Sequence, residues 1–162
     1  MLVLVEGGDG SGKTTLVNSI CAICEYNKLQ IERFEPKQKL KYMNAAWSPE
    51  INVADRSFIS ELVYRLCDDE DVYEWNLINI AEVLCESDII LVYCETDTQY
   101  EDSMARGEDN ITTKKQSDKI KKMYNTIIKL LEKFTEVPIY RYNWKTDEPV
   151  NVIKFIMKEA NK

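Results

Sequence analysis

Four of the five glycines in this chain stand at positions 7, 8, 10 and 12, between an aliphatic run, Leu2 to Val5, and a stretch with helical periodicity, Lys13 to Tyr26. Glycine adopts backbone angles closed to other residues and leaves no Cβ in the way of an approaching group. Concentrating glycines in one short segment commits the chain to a tight turn from strand to helix. That turn constrains the rest, because a buried strand feeding a helix needs a sheet to lie in.

The pattern that follows supplies such a sheet. Leu29–Phe34 alternates like a second strand, and Ile51–Ala54 reads as a brief third that ends at Asp55. Asp88–Cys94 is the most β-like run in the chain, and Pro138–Tyr142 reads as a fifth strand. Helices are expected over 37–47, 57–67, 72–85, about 97–105, 114–133 and 150–159, with an acidic break at Asp68–Asp71. Phe58, Ile59, Leu62, Val63 and Leu66 form a clear apolar stripe on the 57–67 helix. Strands separated by helices of this length predict an α/β fold in three layers: a central parallel sheet of about five strands with helices on both faces. One domain over residues 1–162 is expected, since no linker or repeat divides it.

A net charge of −7 argues against nucleic acid as a partner, because stable binding to a phosphate backbone shows as a basic patch. No apolar run approaches the roughly 20 residues that cross a bilayer. Residues 1–5 are too short for a signal peptide. A cytoplasmic protein with no membrane partner is therefore expected. The chain has no histidine, which excludes a Ser-His-Asp or Cys-His nucleophile and histidine metal sites. Five cysteines at scattered spacing read as reduced, mostly buried thiols rather than a zinc site.

The chemistry begins at Gly7-x-x-x-x-Gly12-Lys13-Thr14, which matches the P-loop pattern and sits after a strand and before a helix, as its mechanism requires. Backbone N–H groups and the positive end of the helix face a phosphate there. Lys13 is placed to reach the β and γ phosphates, and the Thr14 hydroxyl to ligate Mg²⁺. The loop therefore points to a nucleoside triphosphate. Asp55 and Arg56 close the third strand beside it, where ligands bind in open α/β sheets. A carboxylate at that place can order Mg²⁺ or its waters, and arginine suits planar recognition of phosphate. Arginine is scarce, at positions 33, 56, 65, 106 and 141.

These motifs carry a resemblance. EGGDGSGKTT resembles the P-loop of thymidylate kinases, usually E-G-x-D/E-G-x-G-K-T/S-T. Asp55 to Arg65, DRSFISELVYR, is similar to that family's D-R-Y/F-x-x-S-x-x-A-Y-Q segment. Asp88 to Glu95 followed by Ala105-Arg106-Gly107-Glu108 resembles its fourth strand, next helix and R-G-E opening of the lid. Phe34-Glu35-Pro36 is similar to its R-E-P after the second strand, and to the E-P of deoxynucleoside kinases. The chain is identified by these residues as a compact member of the thymidylate kinase and deoxynucleoside kinase group of P-loop kinases.

The resemblance implies a nucleoside monophosphate kinase-like P-loop NTPase using ATP and Mg²⁺. Gly7, Gly10, Ser11, Gly12, Lys13, Thr14 and Thr15 would hold the nucleotide, and Thr14 and Asp55 the metal. Lys13, Asp9, Arg56 and Arg106 would be catalytic. A deoxynucleotide substrate would lie against Asp9, Glu35, Arg56, Ser60, Glu61, Tyr64 and Arg65, in an acceptor region at about 35–65 under a lid at about 105–118. Asp9 would face the sugar 3′-hydroxyl, Tyr64 would exclude a 2′-hydroxyl, Glu61 would read the base edge and Arg56 would hold the acceptor phosphate. The implied reaction converts ATP and a deoxynucleoside monophosphate, a pyrimidine such as dTMP, to ADP and the diphosphate. Two alternatives stand beside it: a kinase of the free nucleoside with Glu35 as base, and a nucleotide-binding module without turnover. A homodimer through helices 57–67 and 72–86 is also implied.

The sequence departs from the family in three places. Only eighteen residues separate Pro36 from Asp55, so Tyr42 and Trp47 are the aromatics on offer for the base, and Lys37, Lys39 and Lys41 the cations. Gly10 stands where some relatives carry a catalytic arginine, and after Arg106 the lid reads GEDNITTKKQ, leaving Lys114 and Lys115 as point charges. Arg65 replaces the usual glutamine, to meet an acceptor phosphate or base, or to pair with Asp68 or Asp69.

Overall fold

The structure, a computed structural model, describes residues 1–31, 37–68, 75–107 and 113–162. In chain order its elements are β1 (Leu2–Glu6), α1 (Lys13–Cys24), β2 (Asn27–Leu29), α2 (Gln38–Trp47), β3 (Asn52–Asp55), α3 (Phe58–Cys67), α4 (Leu77–Glu86), β4 (Ile89–Cys94), α5 (Gln99–Ala105), α6 (Lys114–Phe134), β5 (Ile139–Tyr142) and α7 (Pro149–Ala160). The strands form one sheet in the order β2-β3-β1-β4-β5, and every pairing is parallel.

β1 lies at the centre, which explains its composition: both of its edges are paired and both of its faces are covered. Leu2 and Leu4 point into one core with Ala54, Leu91 and Tyr93, beneath α2, α3, α4 and α6. Val3 and Val5 point into the other with Val53, Ile90 and Val92, beneath α1 and α7. The expected three layers are therefore present.

Three helices start on side-chain caps: Ser57 accepts from the Ile59 N–H, Asn76 from Ile78 and Asn79, and Thr113 from Gln116. α7 opens on Pro149, whose missing N–H costs nothing there. α1 differs: its N-cap is Gly12, in the left-handed region at φ 85°, and no side chain caps it.

Two elements depart from expectation. The second strand occupies Asn27–Leu29 rather than 29–34. It is an edge strand, paired only to β3, and Leu29 and Ile31 alternate because they pack on the core from its margin. Glu32 to Pro36 lie outside the described residues. The helix expected from 72 starts at Leu77, because the Asn76 side chain caps it there, and Trp75 is core instead.

On α3, Phe58, Ile59, Leu62 and Val63 of the apolar stripe are buried, while Leu66 is exposed; the other exposed large apolar groups on the helices of this layer are Leu40 and Trp47 on α2, Leu77 and Ile78 on α4 and Phe134 on α6. Of the five free cysteines Cys67 and Cys94 are buried, Cys21 and Cys24 are half-buried and Cys85 is exposed, so the thiols are less buried than expected. No helix of the described residues is long and apolar enough to cross a membrane.

Trp75 is 1% exposed, stacks on Phe58 with ring centroids 4.5 Å apart and meets Tyr42 edge-on. Trp75→Ala is expected to lower stability by about 3–5 kcal/mol, measured by urea unfolding. A loss below about 1 kcal/mol would mean that this cluster does not anchor the layer.

Candidate active site

The glycine turn folds as its spacing requires. β1 ends at Glu6, the loop runs over residues 7–12, and α1 begins at Lys13 with its first N–H groups uncapped. The Lys13 Nζ donates to the Gly8 carbonyl at 2.7 Å, so the lysine lies back across the loop. Ser11 is buried and its hydroxyl has no hydrogen bond among the described residues. Thr14 and Thr15 are exposed at the helix start.

Close packing explains the glycines. A Cβ on Gly10, where φ is +83°, would sit 2.0 Å from the Gln99 carbonyl oxygen. The Gln99 side chain lies against Gly8, and the Trp144 ring against Gly12. Gln99, at the start of α5, and Trp144, after β5, are parts of the loop's surroundings that sequence reasoning missed. No local pattern marks either of them.

The second half of the site lies across β1. Asp55 and Arg56 leave β3 at the carboxyl end of the sheet, next to the loop that leaves β1. Arg56 is in the left-handed region at φ 74°, unusual for a residue with a side chain. Its N–H donates to the Val5 carbonyl at 3.0 Å. Its guanidinium pairs with Asp9 of the glycine loop and lies 5.2 Å from the centre of the Tyr64 ring. The partner of Arg56 is thus Asp9, not its neighbour Asp55.

Tyr64 is largely buried, which pushes its phenol well above the usual range. Its hydroxyl sits beside Asp9 and Arg56 but makes no well-formed hydrogen bond among the described residues, and neither does Asp9 Oδ2. Both groups line a cleft of about 390 Å³ with Asp55, Arg56, Ser60 and Glu61. Two buried polar atoms facing one cleft are what a hydroxyl-bearing ligand would satisfy.

Other expected residues are placed differently. Glu61 and Arg65 pair with each other at 3.0 Å, one helical turn apart, so neither waits free for a base or phosphate; Asp69, one of the partners expected for Arg65, lies outside the described residues. The Ser60 hydroxyl is committed to Glu6 and Tyr124. Tyr42 lines the cleft but is core, edge-on to Phe58, while Trp47 is 58% exposed and lines no part of it. Arg106 ends α5 exposed, with its Nε donating to the Asp102 carbonyl at 3.2 Å. Lys114 pairs with Glu101. Glu35 and lid residues 108–112 lie outside the described residues.

Sequence reasoning also missed Gln38 and Glu6. Gln38 lines the cleft from the start of α2, and its side-chain oxygen accepts from the Trp75 indole N–H at 2.9 Å. Glu6 is fully buried and accepts from Ser57, Ser60 and Tyr124. A carboxylate ending a wholly aliphatic strand was a signal available for it.

Among the described residues no three His, Cys, Asp or Glu are arranged to hold a metal by themselves. Mg²⁺ needs no such cluster, since it keeps waters and phosphate oxygens beside one or two protein ligands. The exposed Thr14 hydroxyl at the loop and the Asp55 carboxylate in the cleft fit that requirement.

No protein-family model and no curated protein sequence matches the chain. Solved structures do. The YorR protein from Bacillus subtilis, solved with phosphorylated GDP, aligns with a TM-score of 0.71 at 20% identity, covering 99% of this chain and 96% of that one. Deoxyadenosine kinase from M. mycoides, solved with dCMP and a flexible dCDP, aligns at 0.63 and 19% identity, covering 99% of each. Shikimate kinase from Acinetobacter baumannii, solved with shikimate, aligns at 0.56 and 14% identity, covering 99% of this chain and 94% of that one. The fold is that of the P-loop kinases. In this P-loop kinase fold the glycine loop and the Arg56 cleft face each other at the carboxyl ends of β1 and β3.

Lys13 carries a testable signature. Burial, then the nearby Arg56 charge, lower its pKa from the ordinary lysine value to about 8. A bound phosphate would favour the charged form, so a nucleotide held at this loop would require the proton. ATP affinity is expected to be level near pH 7 and to fall about tenfold per pH unit above 8, by calorimetric titration. Lys13→Arg is expected to bind more weakly but with a flat profile, since arginine keeps its charge. A flat wild-type profile to pH 9.5 would contradict a lysine held near 8.

Proposed function

We propose that the chain transfers the γ-phosphoryl group of ATP to a deoxynucleoside monophosphate, with a pyrimidine such as dTMP as the acceptor that the sequence resemblance favours. The observation that carries this reading is the Asp9–Arg56 pair. It joins the glycine loop to the cleft floor, so a donor held by one and an acceptor held by the other share a boundary. Phosphoryl transfer needs alignment and charge neutralisation more than covalent work.

Each group then has a defined task. The N–H groups of residues 10–15 and the Lys13 ammonium hold the β and γ phosphates, and Lys13 leaves the Gly8 carbonyl to do so. Thr14 and Asp55 would hold Mg²⁺ with the triphosphate, and the ion would supply neutralisation of charge on the phosphate oxygens. Arg56, held by Asp9 and stacked beside Tyr64, offers its remaining N–H groups to the acceptor phosphate. Asp9 Oδ2 and the Tyr64 hydroxyl take the sugar 3′-hydroxyl, and the Tyr64 ring occupies the space of a 2′-hydroxyl. Gln38, oriented by the Trp75 indole, lines the cleft where the base would lie.

One observation favours the free nucleoside as acceptor instead. Among the described residues four carboxylates, Asp9, Asp55, Glu61 and Asp68, line the cleft against the single arginine Arg56. Such walls suit a neutral ligand better than a dianion.

Purified protein with Mg·ATP should release ADP when given a deoxynucleoside monophosphate and not the matching nucleoside, with Lys13→Ala inactive on both. Turnover on nucleosides alone would move the acceptor to the second reading. Silence on both classes, with ATP still bound, would leave a nucleotide-binding module and contradict phosphoryl transfer.

A further inference from the structure

Glu6 is fully buried at the end of a strand that is otherwise aliphatic, and burial raises its pKa despite the nearby Arg56 and Lys13 cations. A carboxylate is costly to bury and is kept where hydrogen bonds compensate it. Three hydroxyls do so. Ser57 donates to Oε1, Ser60 donates to Oε2 at 2.5 Å, and the Tyr124 hydroxyl reaches Oε2 at 3.2 Å and Ser60 at 2.8 Å.

The donors lie on the elements that carry the site. Ser57 follows Arg56 and caps α3, accepting from the Ile59 N–H while donating to Glu6. Tyr124 belongs to α6, the helix after the lid segment. Arg56 holds a left-handed conformation, which persists in a residue with a side chain only when both flanks are fixed. One flank is the hydrogen bond from its own N–H to Val5, and the other is Ser57 on Glu6. Val5 and Glu6 are consecutive, and they run directly into Gly7. The arginine is therefore referenced to the same two residues that launch the phosphate loop.

We propose that Glu6 is a positioning residue that sets the Arg56 guanidinium relative to the glycine loop. The role in turnover rests on the reading of Arg56 as the group that holds the acceptor; the role in placing Arg56 does not. With Glu6 replaced, Ser57 loses its anchor, the left-handed turn relaxes and Arg56 drifts from Asp9.

The test uses the scarcity of arginine. With five in the chain, protein labelled with ¹⁵N-arginine gives five Nε–Hε signals, and Arg56→Lys identifies the one belonging to Arg56. In Glu6→Gln the Arg56 signal is expected to shift and to exchange with solvent about tenfold faster, while those of Arg106 and Arg141 stay. In kinetics kcat is expected to fall about 10- to 100-fold with KM for ATP changed less than about twofold. On an Arg56→Lys background the same substitution should cost less than about threefold, because it acts through the arginine. Ser57→Ala removes one of the donors and leaves Glu6 in place, and should reproduce the shift at smaller amplitude if Glu6→Gln does not fold. An unmoved Arg56 signal in a folded variant, or kinetic losses that simply multiply, would overturn the proposal. Wild-type protein that turned over no acceptor would refute the kinase reading, and the arginine spectrum would still decide the role of Glu6.

Discussion

A strand that is aliphatic up to its last residue needs two paired neighbours and two covering layers, and β1 meets that demand by lying between β3 and β4. The site follows from this placement. The loop leaving β1 has the loop leaving β3 on one side and the start of α5, after β4, on the other, so glycines are needed where Gln99 and Trp144 close over it. The same placement brings Asp9 within reach of Arg56, although they are 47 positions apart.

Charge is distributed in a way that suits positioning chemistry. Each of the four described arginines is engaged: Arg56 with Asp9, Arg65 with Glu61, Arg141 with Glu95 and Glu132, and Arg106 with the Asp102 carbonyl. Lys13 is buried, its charge opposed by Arg56 and supported by Asp9 and Asp55. Cations held in place before a ligand arrives need little reorganisation when charge develops on phosphate oxygens. Glu6 belongs to the same scheme, as the buried acceptor that fixes the residues beside Arg56.

What the sequence made legible was local. The spacing of Gly7, Gly12, Lys13 and Thr14 specified the loop because strand, turn and helix are contiguous. Asp55–Arg56 could be placed because a parallel sheet puts successive strand ends at one edge. Contacts across elements were not legible. The bond from Tyr124 to Glu6 spans 118 positions, and that from Trp75 to Gln38 spans 37; strand order and helix packing set both. The pair of Arg65 with Glu61, by contrast, is local: the two lie one turn apart on the same helix, where side-chain direction brings them together.

The most direct measurement is a crystal structure of the protein with Mg·ADP and a deoxynucleoside monophosphate. The expected result has the β-phosphate on the N–H groups at the start of α1, Lys13 Nζ moved from the Gly8 carbonyl onto a phosphate oxygen, and the acceptor sugar between Asp9 and Tyr64. A phosphate bound elsewhere, with Lys13 still on Gly8 and the Arg56 cleft empty, would contradict a site in which loop and cleft act together.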